Sequence, residues 1–157
     1  MKVLAPIYLL RSSEQCWRCH TLQPVVALAT EHLIDDDPEY EDEEGDVMEG
    51  QVLVLNNIET LPQMVLSCII SRHPGFQRRK SRTAGCMYYM NICGSCGAHF
   101  GDFYMHNEPG GAFFPSDERE AATVTIEQLP LTGEFDMEAS YGIGSGDLIF
   151  ECGKRLN

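Results

Sequence analysis

The chain has little positive charge and no long hydrophobic run. Its 157 residues hold 11 Lys and Arg against 24 Asp and Glu, for a formal net charge of -13. Sequence-independent binding to nucleic acid or to an anionic membrane needs a basic footprint, so both partners are disfavoured, while a basic protein or a cationic ligand is permitted. No uncharged apolar stretch reaches the ~20 residues of a membrane-spanning helix. Arg11 follows directly on the apolar MKVLAPIYLL, with no small-residue cleavage site, so this stretch reads as a core strand and not as an export signal. A cytoplasmic, soluble protein is the expectation. Catalytic signatures are also missing: there is no G-x-S-x-G elbow and no Walker loop. The GIGSG at 142–146 lacks the Lys-Ser/Thr of a phosphate loop and reads as a hairpin turn.

What is present points to one folded domain spanning 1–157. Hydrophobic residues make up 43% of the chain, enough for a core of ordinary size. The expected class is α+β, a mainly antiparallel sheet with one clear helix. Residues 3–10 (VLAPIYLL) and 25–29 (VVALA) are short apolar runs that read as a hairpin, with Pro6 placing the first strand at an edge or bulge. Residues 51–55 (QVLVL) and 87–92 (MYYMNI) read as further strands, with 98–106 as a return strand. Thr60 and Gln63 match a capping box, and Leu61, Met64, Val65, Cys68 and Ile69 fall on one helical face, which predicts a helix ending near Arg72. Ser116 is placed to cap a short helix over 117–122. Residues 123–126 and 147–151 read as closing strands, and the aromatics of 100–114 as core.

Two segments are charged. Residues 31–49 contain eleven Asp or Glu and no Lys or Arg, most densely over 35–46, and predict an acidic loop. Residues 72–82 carry Arg72, Arg78, Arg79, Lys80 and Arg82 with no acid, and belong to a strand, helix and basic loop over 50–86. The basic cluster either pairs with the acidic run or contacts phosphate.

The chemistry lies in the cysteines. Four of the seven form two CxxC pairs, Cys16–Cys19 and Cys93–Cys96, while Cys68, Cys86 and Cys152 are scattered in apolar surroundings and read as packing residues. In a reducing compartment such pairs are metal ligands or redox groups more often than disulfides. Each CxxC turns two sulfurs toward one ion, and two pairs supply the four thiolates of a tetrahedral Zn2+ site. Gly94 and Gly97 ease the second turn; Arg18 and His20 stand in the corresponding places of the first. The 73 residues between Cys19 and Cys93 far exceed the roughly 15–20 of a compact zinc ribbon, so the ribbon's two hairpins are expected to flank an insertion.

Other chemistries fit less well. CWRCH matches a c-type haem attachment site, but it leaves the second pair unexplained and needs export. A redox dithiol needs a long helix after the CxxC in a βαβ setting, which neither pair has. His20 and His99 are the nearby substitutes for a cysteine and read as surface groups beside the site. His99, Asp102, His106 and Glu108 suggest a catalytic metal, but on a strand residues three apart diverge.

Residues 81–115, SRTAGCMYYMNICGSCGAHFGDFYMHNEPGGAFFP, together with the N-terminal CWRC, resemble a poorly characterised group of bacterial zinc-ribbon-like proteins. The resemblance covers about a third of the chain and implies a metal site but no activity. The functional expectation is a non-enzymatic, zinc-stabilised module that binds a basic protein. One concrete form is an immunity or antitoxin protein that neutralises a bacterial toxin. The alternatives are a metal- or thiol-dependent enzyme and a nucleic-acid-associated ribbon using 72–82.

Overall fold

A computed structural model of the chain describes residues 1–35 and 46–156. The centre of the expected acidic loop, 36–45, lies outside the described residues. Its flanks are not loop. Strand β3 runs Leu22–Asp35 and β4 runs Asp46–Thr60, and they pair antiparallel out to Asp35 opposite Asp46. Leu33 explains why so acidic a stretch extends as a strand. It is completely buried, opposite Val3 of β1 (Lys2–Leu4) on one side and Met48 of β4 on the other. One apolar anchor in register holds the strand, and the Tyr8 and Tyr141 hydroxyls donate to Glu31 and Asp35 within it.

The remaining strands are β2 (Ile7–Gln15), β5 (Phe76–Lys80), β6 (Met87–Ile92), β7 (His99–Phe100), β8 (Thr125–Gln128), β9 (Glu134–Asp136), β10 (Glu138–Ile143) and β11 (Lys154–Leu156). The main path of the curled sheet is β11-β8-β2-β3-β4-β6-β5, antiparallel apart from the β8–β11 pair. Pro6 lies in the break between β1 and β2, and β2 is an inner strand, not an edge.

Helices cover both faces. Tyr8, Leu10, Ala27, Ala29, Val52 and Val54 belong to one core cluster, while Ile7, Leu9, Val26, Leu28, Leu53 and Leu55 belong to the other. This alternation is the period of two expected of strands buried on both sides. Helix α1 (Gln63–Arg72) adds Val65 and Ile69 to the second cluster and ends at Arg72 as expected. Thr60 does not cap it. Pro62 is the N-cap, and the Thr60 hydroxyl instead accepts from the Glu138 N–H. Met64, assigned to the apolar face, is exposed.

Two of the other helices replace predicted strands, and the third is the short helix expected over 117–122. Helix α4 (Ser145–Cys152) stands where 147–151 was read as a strand, because Gly146 lets it sit flush on β4: a Cβ there would lie 2.7 Å from the Val52 side chain. Asp147 then accepts from the Val52 N–H at 2.8 Å. The return strand over 98–106 shrinks to the two residues of β7, followed by α2 (Asp102–Asn107). Helix α3 (Glu118–Ala121) is capped by Asp117, which accepts from the Glu120 N–H, and not by Ser116. Among the described residues no helix is long and apolar enough to cross a membrane.

Residues 50–86 are not an insertion set apart from a ribbon. β4 is the strand to which both hairpins attach: it pairs β3 through Leu28 opposite Leu55, then parts from β3 and meets β6 at Ile58 opposite Tyr89. The parting strips backbone groups of their partners, and two side chains restore them. Asn91 of β6 accepts from the Val26 N–H at 2.9 Å and donates to the Val26 carbonyl at 3.0 Å. Asp102 accepts from the Asn57 N–H at 2.8 Å, where Asn57 takes a left-handed turn at φ 47°. Asn91 is thus a surrogate strand neighbour for β3. Its replacement by Ala leaves a buried N–H and a buried C=O unpaired, so Asn91→Ala should cost about 2–4 kcal/mol of unfolding free energy in denaturant titration. Asn91→Asp, which keeps the acceptor and loses the donor, should cost less below the carboxyl's pKa than above it.

Candidate metal centre

The fold brings the two CxxC turns to one place. The first caps the β2–β3 hairpin: the Cys16 N–H donates to the Thr21 carbonyl at 2.9 Å, and the His20 N–H to the Cys16 carbonyl at 2.9 Å. The second caps β6–β7 in the same way, with Cys93 N–H to Ala98 carbonyl at 2.8 Å and Gly97 N–H to Cys93 carbonyl at 3.0 Å. Gly97 is left-handed at φ 76° and His20, at the matching place, is left-handed at φ 63°. His20 therefore fills a backbone role for which glycine is the default. It is exposed and lies outside the four-cysteine group.

The four predicted sulfurs converge. Cys16, Cys19, Cys93 and Cys96 place their Sγ atoms within 4.8 Å of one another, and among the described residues they are the one such group. Cys16–Cys96 and Cys19–Cys93 each stand 3.6 Å apart. A tetrahedral ion with metal–sulfur bonds of ~2.3 Å needs sulfurs about 3.8 Å apart, so the cluster can hold one metal ion with little movement. Cys16 and Cys93 are buried, and Cys19 and Cys96 partly so.

Backbone dipoles prepare two of the thiols for ionisation. Burial pushes the Cys93 thiol up, but the N–H groups of Cys96 and Ser95 outweigh it and bring it down to about 6. Cys96 is lowered chiefly by the Ala98 N–H, with Arg18 adding to it. The Cys19 N–H works to lower the Cys16 thiol, yet burial and proton sharing with Cys96 and Cys19 leave it raised. A metal binds thiolates, so loading this centre releases protons.

Three residues that carry the centre were not visible as site residues in the sequence. Gln23, on β3, accepts from the Gly94 N–H at 3.1 Å and donates to the Ser95 hydroxyl at 3.0 Å, joining the hairpins outside the sulfurs. Arg18 donates to the Cys96 carbonyl. The Trp17 indole N–H donates to the His99 carbonyl at 2.9 Å. Their only sequence signal was position: two are the inner residues of CWRC and the third lies four residues beyond it.

The second cluster weighed in the sequence does not form. His99 and Glu108 are exposed, while Asp102 and His106 are buried on α2, one helical turn apart. Divergence along a strand was the wrong reason, since 102–107 is helical; the groups separate by burial. Of the scattered cysteines, Cys68 packs against the core and Cys86 and Cys152 are half-buried. Arg72 leaves the basic cluster to pair with Glu127 of β8. Phe100 and Phe113 are core, as expected, but Phe103 and Tyr104 are exposed.

No known protein family, curated protein or solved structure matches the chain.

Asp102 and His106 give a pH signature next to the splay. Burial raises Asp102 to about 7 against the pull of the Asn57 N–H, and burial lowers His106 to about 4. Between pH ~4 and 7 the folded Asp102 keeps a proton that the unfolded chain has lost, so its contribution to stability falls as pH rises. Between pH ~4 and 6.5 the unfolded chain binds a proton at His106 that the folded state refuses, so that contribution rises. The two oppose each other. Asp102→Asn removes the falling one: relative to the parent, the variant should gain stability steadily from pH 4.5 to 7, by at most about 4 kcal/mol. Thermal melts across that range check it, and a pH-independent difference would show that Asp102 titrates normally.

Proposed function

We propose that Cys16, Cys19, Cys93 and Cys96 hold one structural Zn2+ and that the protein is a non-enzymatic binding module for a basic protein partner. The meeting of four thiol donors from two hairpins supports this most. Zn2+ is the common ion of a four-sulfur tetrahedral set, and four thiolates leave no open position for water or substrate. The module reading also draws on charge. Beyond the net -13, exposed Glu134, Asp136 and Glu138 line the β9–β10 rim, and Asp117 and Glu118 open α3. A basic partner gains by covering such surfaces. An inhibitor of a basic toxin is one form of this reading.

Elemental analysis of the purified chain should return one zinc per chain. Cys96→Ser should lose it, while His20→Gly and His99→Ala should keep it. Because zinc binding is worth on the order of 10 kcal/mol in zinc-finger peptides, chelation should lower the thermal midpoint by more than about 10 °C. Full thiol reactivity with no bound metal, or a midpoint indifferent to chelator, would remove the zinc. Co-purification at low salt with no basic protein retained would remove the partner.

A further inference from the structure

Beside the sulfurs lies a cleft of about 510 Å³ between the two knuckles and the loop after β5. This is within the ~300–1,000 Å³ of small-molecule sites. Trp17 and Arg18 of the first knuckle, His99 after the second, Tyr88 of β6, and Lys80 and Arg82 line it. No Asp or Glu lines it, although acids outnumber bases two to one in the chain.

The cations differ in availability. Arg18 is committed to the Cys96 carbonyl and leans over the thiols. Lys80 and Arg82 are exposed, and among the described residues neither is ion-paired. A lysine on an edge strand serves to repel other strands, and β5 is an end strand of the path. That accounts for Arg78, Arg79 and Lys80 of the strand but not for Arg82, which lies beyond the strand and lines the cleft together with Lys80.

Trp17 is the second observation. It is 65% exposed, an unusual position for the largest apolar side chain, and the bond from its indole N–H to His99 holds the ring in place. A pre-set, uncovered aromatic face beside free cations is how proteins stack a base and neutralise its phosphate. Gly101 also lines the cleft, and α2 starts at the next residue, carrying the exposed Phe103 and Tyr104.

We propose that this cleft binds a nucleotide, free or as a unit of a single strand, with the base on Trp17 and the phosphate at Lys80 and Arg82. The acidic remainder of the chain makes this a local site, sensitive to salt. The proposal uses the knuckle geometry and so rests on the metal reading.

Trp17 is the sole tryptophan of the chain, so its emission reports on the cleft directly. The full chain, with its metal content measured beforehand, is titrated at about 50 mM salt with adenosine monophosphate and with a short oligothymidylate. Saturable quenching by either is the expected result; quenching by both assigns free nucleotide, and by the oligomer alone a single strand. Joint Lys80→Ala and Arg82→Ala substitution should flatten the slope of log affinity on log salt by about 1. Trp17→Ala, followed by anisotropy of a labelled probe, should weaken binding roughly 5- to 150-fold. Absence of saturable quenching by both probes overturns the proposal. So does affinity unmoved by these substitutions, or duplex bound as tightly as single strand. Lack of zinc in the starting protein counts against the metal centre alone, because the titration is read separately.

Discussion

Four thiols within 4.8 Å of one another cannot all ionise unless a cation sits among them. Left without one, they must share protons: backbone N–H groups pull Cys93 and Cys96 down, while burial and proton sharing leave Cys16 raised. The proposed zinc would leave a net charge of about -2 on the four-thiolate set, and Arg18 is already placed against it. The centre also joins chain segments 74 residues apart. Closing so long a loop costs entropy on folding, and metal binding by the four sulfurs would offset that cost.

Such a tie demands that two hairpin tips arrive side by side, and β4 sees to that. It is the neighbour of β3 at one end and of β6 at the other. A flat sheet would have kept β3 and β4 paired to the end and left no room for the second hairpin. Parting the strands costs backbone hydrogen bonds, each worth about 1–3 kcal/mol if left buried and unmade. Asn91 and Asp102 replace them with side-chain atoms. Polar residues in this region are therefore structural in effect, even where their chemistry resembles that of a catalytic site.

Much of the metal centre was legible because CxxC spacing and flanking strands are local properties. The four cysteines that converge could be named from sequence, and the β2–β3 hairpin followed from two apolar runs around one knuckle. What failed depended on distant partners. The acidic flanks of 31–49 became strand because of Leu33 and its neighbours on β1 and β4. The run 147–151 became helix because Gly146 fits against Val52. Short apolar runs carry too few residues to distinguish a period of 2 from 3.6. Gln23 was invisible for a related reason: a glutamine on a strand has no signature until the second hairpin is placed beside it.

The two inner residues of CWRC tie the proposed metal site and the proposed binding cleft into one unit. A CxxC turn fixes its cysteines, and the residues between them then project outward. Here Arg18 reaches the opposite knuckle through Cys96, and Trp17 reaches it through His99. Both also form one wall of the cleft. Ordering the sulfurs therefore orders the wall, since neither side chain can keep its bond if the hairpins separate. A closed four-sulfur shell offers no coordination site to a ligand in the cleft, so a bound molecule would sense the metal only through the position of Trp17 and the charge left on Arg18.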